Sequence, residues 1–327
     1  MPFNVYVTRR IPEAGLEILR RHCDRVEVNP EDRVLSRDEL LAAVRDRDGV
    51  LCLLTDTIDD ETLAAAGPRC RAFANMAVGY NNVDLAAATR RGIMITNTPG
   101  VLTETTADLA WALMLAVARR VVEGDRFFRT GRWTGWGPMQ FLGHDVHKTT
   151  LGIVGAGRIG TAVGRRSVGF GMRLLYTDPH PSGELDRIGA RRVDLDTLLR
   201  ESDFVTLHVA LNERTHHLIG RRELALMKPT ACLINTARGP IIDEAALVEA
   251  LRERRIAGAG LDVYENEPEP APGLVELDNV VCIPHLGSAT EATRAKMATM
   301  AAENLVAALR GERPPNLVNL DVLAAQS

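Results

Sequence analysis

The sequence predicts an α/β fold built on parallel sheets, one of them doubly wound, and three observations carry that reading. Short apolar runs alternate with helix-period stretches along most of the 327 residues. Parallel strands buried on both faces read as continuous apolar runs, and strand–helix alternation is the pattern that builds such sheets. A glycine pattern, Gly155-Ala156-Gly157-Arg158-Ile159-Gly160, stands between an apolar run and a helix-period stretch. The chain is also too long for one ordinary core, so two domains are expected.

The first hundred residues supply one compact unit. The segments 5–7, 26–28, 50–54, 72–75 and 93–96 are expected as strands. Between them, 13–20, 61–66 and 85–90 carry helix patterns, and Ser36-Arg37-Asp38-Glu39 opens another helix with the Ser-x-x-Glu capping pattern. Asn97-Thr98-Pro99-Gly100 breaks the alternation as a linker. A long helix over 105–120 follows, with apolar residues on more than one face, so both sides need cover. One side can be its own domain and the other a second subunit.

The second unit starts near residue 149. Apolar runs at 151–154, 172–177, 204–209, 231–236, 257–263 and 280–283 read as strands, with helices at 195–200 and 244–254 between them. Ser288-Ala289-Thr290-Glu291 is a second capping pattern, opening a helix that runs to about 309 before Gly311, Pro314 and Pro315 stop it. That helix is expected to return to the first unit. The expected domains are therefore 1–99 with 287–327, and 100–286.

Composition narrows the function. Hydrophobic residues make up 46%, charged residues 25%, and the net charge is −4, which is ordinary for a globular protein and gives no reason to expect a nucleic-acid partner. Lys148, Lys228 and Lys296 are the only lysines, and none follows the glycine turn as a nucleotide-hydrolysing P-loop requires. The start of the chain has neither the basic region nor the apolar core of a secretory signal, and the longest apolar run is too short to span a bilayer. Five scattered cysteines with no Cys-x-x-Cys pair suggest neither a disulfide framework nor a zinc site. No membrane partner and a cytoplasmic location are expected.

At a strand-to-helix turn, Gly155 can make the tight bend, Gly157 lets backbone approach a pyrophosphate, and Gly160 lets the helix pack against the strand. Asp178 ends the next apolar run, eighteen residues past Gly160, where a dinucleotide fold places the carboxylate for the ribose hydroxyls. A carboxylate there repels a 2′-phosphate, so NAD(H) is favoured, with NADP(H) kept as an option.

Ligands of such sheets lie beyond the carboxyl ends of the strands. Arg238 follows the run ending at Thr236, Glu267 follows Asp262, and His285 follows Ile283-Pro284. Taken singly, each also fits a solvated turn or surface loop. Together they supply what hydride transfer on a 2-hydroxy acid needs: a cation to grip and polarise the substrate, an imidazole to move the hydroxyl proton, and a carboxylate that favours the protonated ring. His208, at another strand end, is a candidate cofactor contact, whereas Cys232 and Cys282 sit inside apolar strands and read as inert.

At these residues the chain resembles a known family, the NAD(P)-dependent D-2-hydroxyacid dehydrogenases, in its glyoxylate/hydroxypyruvate reductase branch. The resemblance spans the chain, through Asn75-Met-Ala-Val-Gly79-Tyr-Asn-Asn-Val-Asp84, the segment 97–108, the glycine turn, Asn235-Thr-Ala-Arg-Gly239, Gly260-Leu-Asp-Val-Tyr-Glu-Asn-Glu-Pro268 and Pro284-His-Leu-Gly-Ser-Ala-Thr290. It implies a Rossmann dinucleotide-binding domain inserted in a smaller flavodoxin-like substrate domain. It implies Arg238 as the substrate-orienting cation, His285 as proton donor and Glu267 as its partner. Val78 and Gly79 would meet the substrate carboxylate, and Trp136 would reach a partner subunit's site in a homodimer. Thr106, Arg158, Ile159, Asp178, Thr236, Asp262 and Gly287 would line the cofactor. The expected activity is reduction of a small 2-keto acid, glyoxylate or hydroxypyruvate. Alternatives on the same scaffold are D-lactate-type, phosphoglycerate or phosphite dehydrogenases, and a non-enzymatic NAD-sensing protein like the related corepressors.

Overall fold

The computed structural model describes residues 3–324. It divides into two compact units, one made of the chain up to Leu102 and from Ser288 onward, the other of Thr103–Gly287. The first boundary falls after the expected linker because Val101 and Leu102 still pack on the core of the first unit.

In the first unit the chain runs β1 (Asn4–Val7), α1 (Glu13–His22), β2 (Arg25–Val28), α2 (Arg37–Ala43), β3 (Gly49–Cys52), α3 (Asp60–Ala66), β4 (Ala72–Asn75), α4 (Leu85–Arg90) and β5 (Met94–Thr96). The strands form one parallel sheet in the order β2-β1-β3-β4-β5, the flavodoxin-like order. The central strands β3 and β4 are wholly buried, which is why their sequences carry no polar alternation. The starts of α2, α3 and α4 are set by side-chain caps: Ser36 forms the expected capping box with Glu39, and Asp59 and Asp84 cap α3 and α4.

The second unit opens with α5 (Thr103–Ala118) and α6 (Val121–Arg129). The helix expected over 105–120 is α5, which ends two residues earlier, and Arg120, in a left-handed conformation (φ 51°), caps a further helix, α6, that has no buried residue and was not expected. One side of α5 is covered within the unit: Trp111 donates to the Val163 carbonyl at 3.1 Å and stacks on Phe170. There follow β6 (Thr150–Val154), α7 (Arg158–Ser167), β7 (Arg173–Thr177), α8 (Gly183–Arg187), β8 (Arg191–Arg192), α9 (Leu195–Glu201), β9 (Phe204–Leu207), α10 (Arg221–Leu226), β10 (Cys232–Asn235), α11 (Glu244–Arg252), β11 (Gly258–Leu261) and β12 (Val280–Cys282). These strands make a seven-stranded parallel sheet, β12-β11-β10-β9-β6-β7-β8, whose order reverses around β6 and β9. The edge strand β8 is a pair of exposed arginines, with no apolar run to announce it.

The last helix, α12 (Glu291–Leu309), belongs to the first unit. It lies against α1 so closely that a Cβ on Gly15 would come within 2.7 Å of the Ala298 carbonyl oxygen. Its N-cap is Thr290, whose hydroxyl accepts from the Thr293 N–H, so the capping pattern expected at Ser288 is displaced by two residues. Among the described residues no helix is long and apolar enough to cross a membrane.

Candidate active site

The glycine turn lies where the sheet order of the second unit reverses, at the carboxyl end of β6, and its three glycines differ in what surrounds them. Gly155 has φ 97°, and a Cβ there would meet the backbone of His208 at 2.7 Å. Gly160 faces back on the turn: its Cβ would lie 2.0 Å from the Gly155 carbonyl oxygen. Gly157, the N-cap of α7, has an ordinary extended backbone, and a Cβ there would touch nothing within 4 Å. Neither its conformation nor its neighbours demand a glycine, so the space it leaves fits an approaching pyrophosphate at the helix N-terminus. Arg158 and Ile159 form the first turn of α7 behind it.

A second feature fits a bound dinucleotide. Thr236, at the end of β10, is buried, yet its hydroxyl has no hydrogen-bond partner. Buried polar groups are normally satisfied, so an orphaned hydroxyl at a strand end marks a place where a ligand group completes the bond.

Asp178 follows β7 and is half-buried. One carboxylate oxygen accepts from the Ala156 N–H of the glycine turn at 2.8 Å and the other from the His180 N–H at 2.9 Å. This fixes the carboxylate beside the turn and leaves further lone pairs for ribose hydroxyls. Sequence reasoning missed Arg192 on β8, whose guanidinium donates to the carbonyls of Asp178 and Pro179. His208 donates its backbone N–H to the Val154 carbonyl, and its ring pairs with the Thr206 hydroxyl at 2.9 Å. Burial pushes this imidazole down to about 3, so it stays neutral near neutrality. Burial likewise raises the thiols of Cys232, to about 12, and Cys282, which keeps both unreactive.

Arg238, Glu267 and His285 stand on the connections that follow β10, β11 and β12. Glu267 and His285 meet: the imidazole Nδ1 lies 3.0 Å from a carboxylate oxygen, with side-chain exposures of 32% and 27% that leave the pair open to a ligand. The other Glu267 oxygen accepts from the Tyr264 N–H. Burial pushes the Glu267 carboxyl up, but His285, the Tyr264 N–H and the Arg238 charge outweigh it and hold it below the usual range. The Arg238 guanidinium donates to the Ala237 carbonyl; burial lowers its proton affinity and Glu267 partly offsets this.

Several residues set this geometry that the sequence did not single out. Asn235 accepts from the Ala237 N–H and donates to the Arg238 carbonyl, shaping the turn that carries the arginine. Gly239 lets that turn lie on the next connection, since its Cβ would coincide with the Tyr264 carbonyl carbon at 1.8 Å. The Tyr264 hydroxyl donates to the Ile283 carbonyl, tying the Glu267 segment to the end of β12. Glu244, 4% exposed, accepts from the N–H groups of Glu265 and Ala271 and pins both ends of the loop. Only Gly239 gives a local signal, inside a turn-forming Arg-Gly-Pro sequence; the others act through contacts that need the fold.

Thr106, Asp262 and Gly287 come together, and they hold the histidine. His285 has φ 54°, a strained value for a non-glycine residue. The Asp262 carbonyl accepts from the His285 N–H, its carboxylate accepts from the N–H groups of Leu286 and Gly287, and Thr106 donates to the Gly287 carbonyl. Burial is the main reason the Asp262 carboxyl is raised, and these N–H bonds oppose it. A buried carboxylate thus over-determines the turn that presents the imidazole.

Val78 and Gly79 lie in the first unit, after β4. Their carbonyls accept from Asn97 and Asn75 at 2.8 and 3.0 Å, while their N–H groups have no hydrogen-bond acceptor among the described residues. Trp136 is not brought to the Arg238, Glu267 and His285 cluster within its unit: it is 84% exposed, on the connection between α6 and β6.

Comparison with known proteins gives the family. Residues 111–287 match the family described as D-isomer specific 2-hydroxyacid dehydrogenase, NAD binding domain. The chain is 53% identical over 322 residues to a glyoxylate reductase of Korarchaeum cryptofilum, covering 98% of this chain and 96% of that one. Among solved structures, the TT0316 protein of Thermus thermophilus superposes with a TM-score of 0.90 at 46% identity, covering 96% of this chain and 99% of that one. An NADPH-dependent glyoxylate/hydroxypyruvate reductase of Sinorhizobium meliloti, in complex with NADP and malonate, gives a TM-score of 0.85 at 31% identity over 98% of each chain.

Proposed function

The chain belongs to the D-isomer specific 2-hydroxyacid dehydrogenases, enzymes that work with a nicotinamide dinucleotide, and on that premise we propose that it reduces glyoxylate or hydroxypyruvate to the 2-hydroxy acid. The observation that carries the reading is the His285–Glu267 hydrogen bond on connections neighbouring that of Arg238. When bound, the reduced nicotinamide supplies the hydride to the keto carbon. Arg238 grips the substrate carboxylate with its planar fork and polarises the carbonyl. Protonated His285 gives its proton to the keto oxygen, and Glu267 holds the ring in place through its hydrogen bond to Nδ1. Loss of a proton from His285 balances the hydride, leaving a neutral ring that recovers its proton from solvent. The unpartnered N–H groups of Val78 and Gly79 support their assignment to the substrate carboxylate.

NADH is the preferred reductant in this reading, because Asp178 offers a carboxylate where a 2′-phosphate would need a cation. Gly155, Gly157, Arg158, Ile159, Gly160, Thr236 and, through the turn they hold, Thr106, Asp262 and Gly287 are assigned to the cofactor. A homodimer is supported by a run of exposed large apolar side chains within 121–142: Val121, Phe128, Trp133, Trp136, Met139 and Leu142. Such a patch on a monomer marks an interface, and Trp136 is assigned to a partner's substrate site. Light scattering should give twice the chain mass; a monomer of full activity would remove that assignment. Five free cysteines support a reducing, cytoplasmic setting.

The direct test is a panel of small 2-keto acids, each assayed with NADH and NADPH. Glyoxylate and hydroxypyruvate should turn over best, and with NADH. Selective turnover of pyruvate or of another substrate of this scaffold would replace the substrate assignment, and no turnover of any member would replace the reaction.

A further inference from the structure

Outside the catalytic set, one cluster has the composition of a transition-metal centre. His216, His217 and Glu265 each offer a ligand atom, and the three atoms lie within 4.8 Å of one another. We propose that these residues bind one zinc-type divalent ion, which joins the segment after β9 to the loop between β11 and β12. The inference does not depend on the reaction assigned above.

Two imidazoles and a carboxylate form a ligand set that suits zinc and its neighbours, with water completing a tetrahedron. In a tetrahedral site with arms of about 2.0–2.1 Å, ligand atoms stand about 3.3–3.4 Å apart. Here His217 Nε2 and Glu265 Oε1 are 2.6 Å apart, joined by a hydrogen bond that an ion would replace, so they need only separate slightly. The rings of His216 and His217 stack at 4.0 Å, and both are exposed, leaving them free to turn by the modest amount required.

The backbone around the cluster is already fixed. His217 holds φ 50°, and its N–H donates to the Pro240 carbonyl, while Ile219 is bridged to the same segment. A strained non-glycine residue kept in place by its surroundings is the kind of feature that collects at functional sites. Glu265 is oriented from behind: its second oxygen accepts from the Glu244 N–H at 3.2 Å, so the first is the one turned to His217. The buried Glu244 carboxylate, bonded to the Glu265 N–H, adds negative charge beneath the site. Outer partners that orient a ligating carboxylate are characteristic of metal centres. An isolated surface ion pair would need only His217 and Glu265; the stacked second histidine is the part that such a pair does not require.

Full-length protein, stripped with a chelator and dialysed, should be titrated calorimetrically with zinc chloride as wild type, His216→Ala and Glu265→Gln. The expected result is one ion per chain, with affinity reduced more than about tenfold in each variant. Zinc should also raise the unfolding temperature of the wild type by mass action, and not that of His216→Ala. Substituting His216, whose exposed ring stacks on His217, should leave the metal-free unfolding temperature unchanged, which separates lost ligation from lost folding. With cobalt(II) in place of zinc, the near-ultraviolet spectrum should lack a thiolate charge-transfer band. Absence of binding, binding that either variant leaves intact, or a thiolate band placing the ion on a cysteine would each overturn the proposal.

Discussion

Replacing Gly157 by Ala should separate folding from cofactor binding. The added Cβ meets no protein atom within 4 Å, and the residue's extended φ and ψ suit alanine, so no clash or strain follows. The remaining cost is that of alanine as an N-cap, about 0.5–1 kcal/mol. In a unit of this size that lowers the unfolding temperature by roughly 1–4 °C. The same methyl group stands where a pyrophosphate would approach, and losing one charge-assisted hydrogen bond costs about 1.5–3 kcal/mol, so the dissociation constant for NADH should rise about 10- to 100-fold. Gly160→Ala should behave in the opposite way, because its Cβ would lie 2.0 Å from the Gly155 carbonyl oxygen and the turn itself must move. Fluorescence titration with NADH, beside thermal unfolding of each variant, reads both quantities. A Gly157→Ala enzyme that binds NADH normally would refute the claim that this space is kept for the cofactor.

Other consequences are equally direct. Asp178→Asn removes the charge that opposes a 2′-phosphate while Arg192 stays bonded to the neighbouring carbonyls, so kcat/KM with NADH should fall about tenfold or more and the NADPH/NADH ratio should rise; an unchanged ratio in parallel kinetics would take Asp178 out of the ribose site. His208 connects stability to pH: its unfolded pKa is about 6.5 and its folded value about 3, so between those values the unfolded chain holds a proton that the folded chain does not. Stability is therefore lost as pH falls through that window. Allowing for partial solvent access, the loss between pH 7 and pH 4.5 should be about 2 kcal/mol smaller in His208→Gln than in the wild type. Urea unfolding at both pH values checks this, and equal losses would show that the ring takes up its proton in the folded state.

How legible the molecule was depends on the range of each contact. Most strands of both sheets announce themselves because buried parallel strands are continuously apolar; the exceptions are two edge strands, β2, which buries no residue and is interrupted by Glu27, and β8, two exposed arginines whose pairing no periodicity marks. The helix expected over 105–120 does stop before left-handed Arg120; what went unread is α6 beyond it, which buries no residue. Gly155, Gly157 and Gly160 could be read locally, since their roles arise within one turn. Arg238, Glu267 and His285 were found by position after strands, which topology alone relates to one sheet edge. Asp262, which the resemblance assigns to the cofactor, also has its carboxylate engaged by the Leu286 and Gly287 N–H groups, a contact that only the assembled fold brings together. Glu244 looked like an ordinary residue at the start of an amphipathic helix, and its burial beneath the Glu265 loop becomes visible only once distant segments are assembled.

The proposed chemistry turns on His285 as the proton donor positioned by Glu267, and steady-state oxidation of NADH by glyoxylate in the wild type, His285→Ala and Glu267→Gln tests it most directly. His285→Ala should lower kcat about 10²- to 10⁴-fold with NADH binding near normal, and Glu267→Gln should lower kcat by less while leaving substrate KM nearly unchanged. Wild-type turnover of glyoxylate that His285→Ala retains in full would contradict this role.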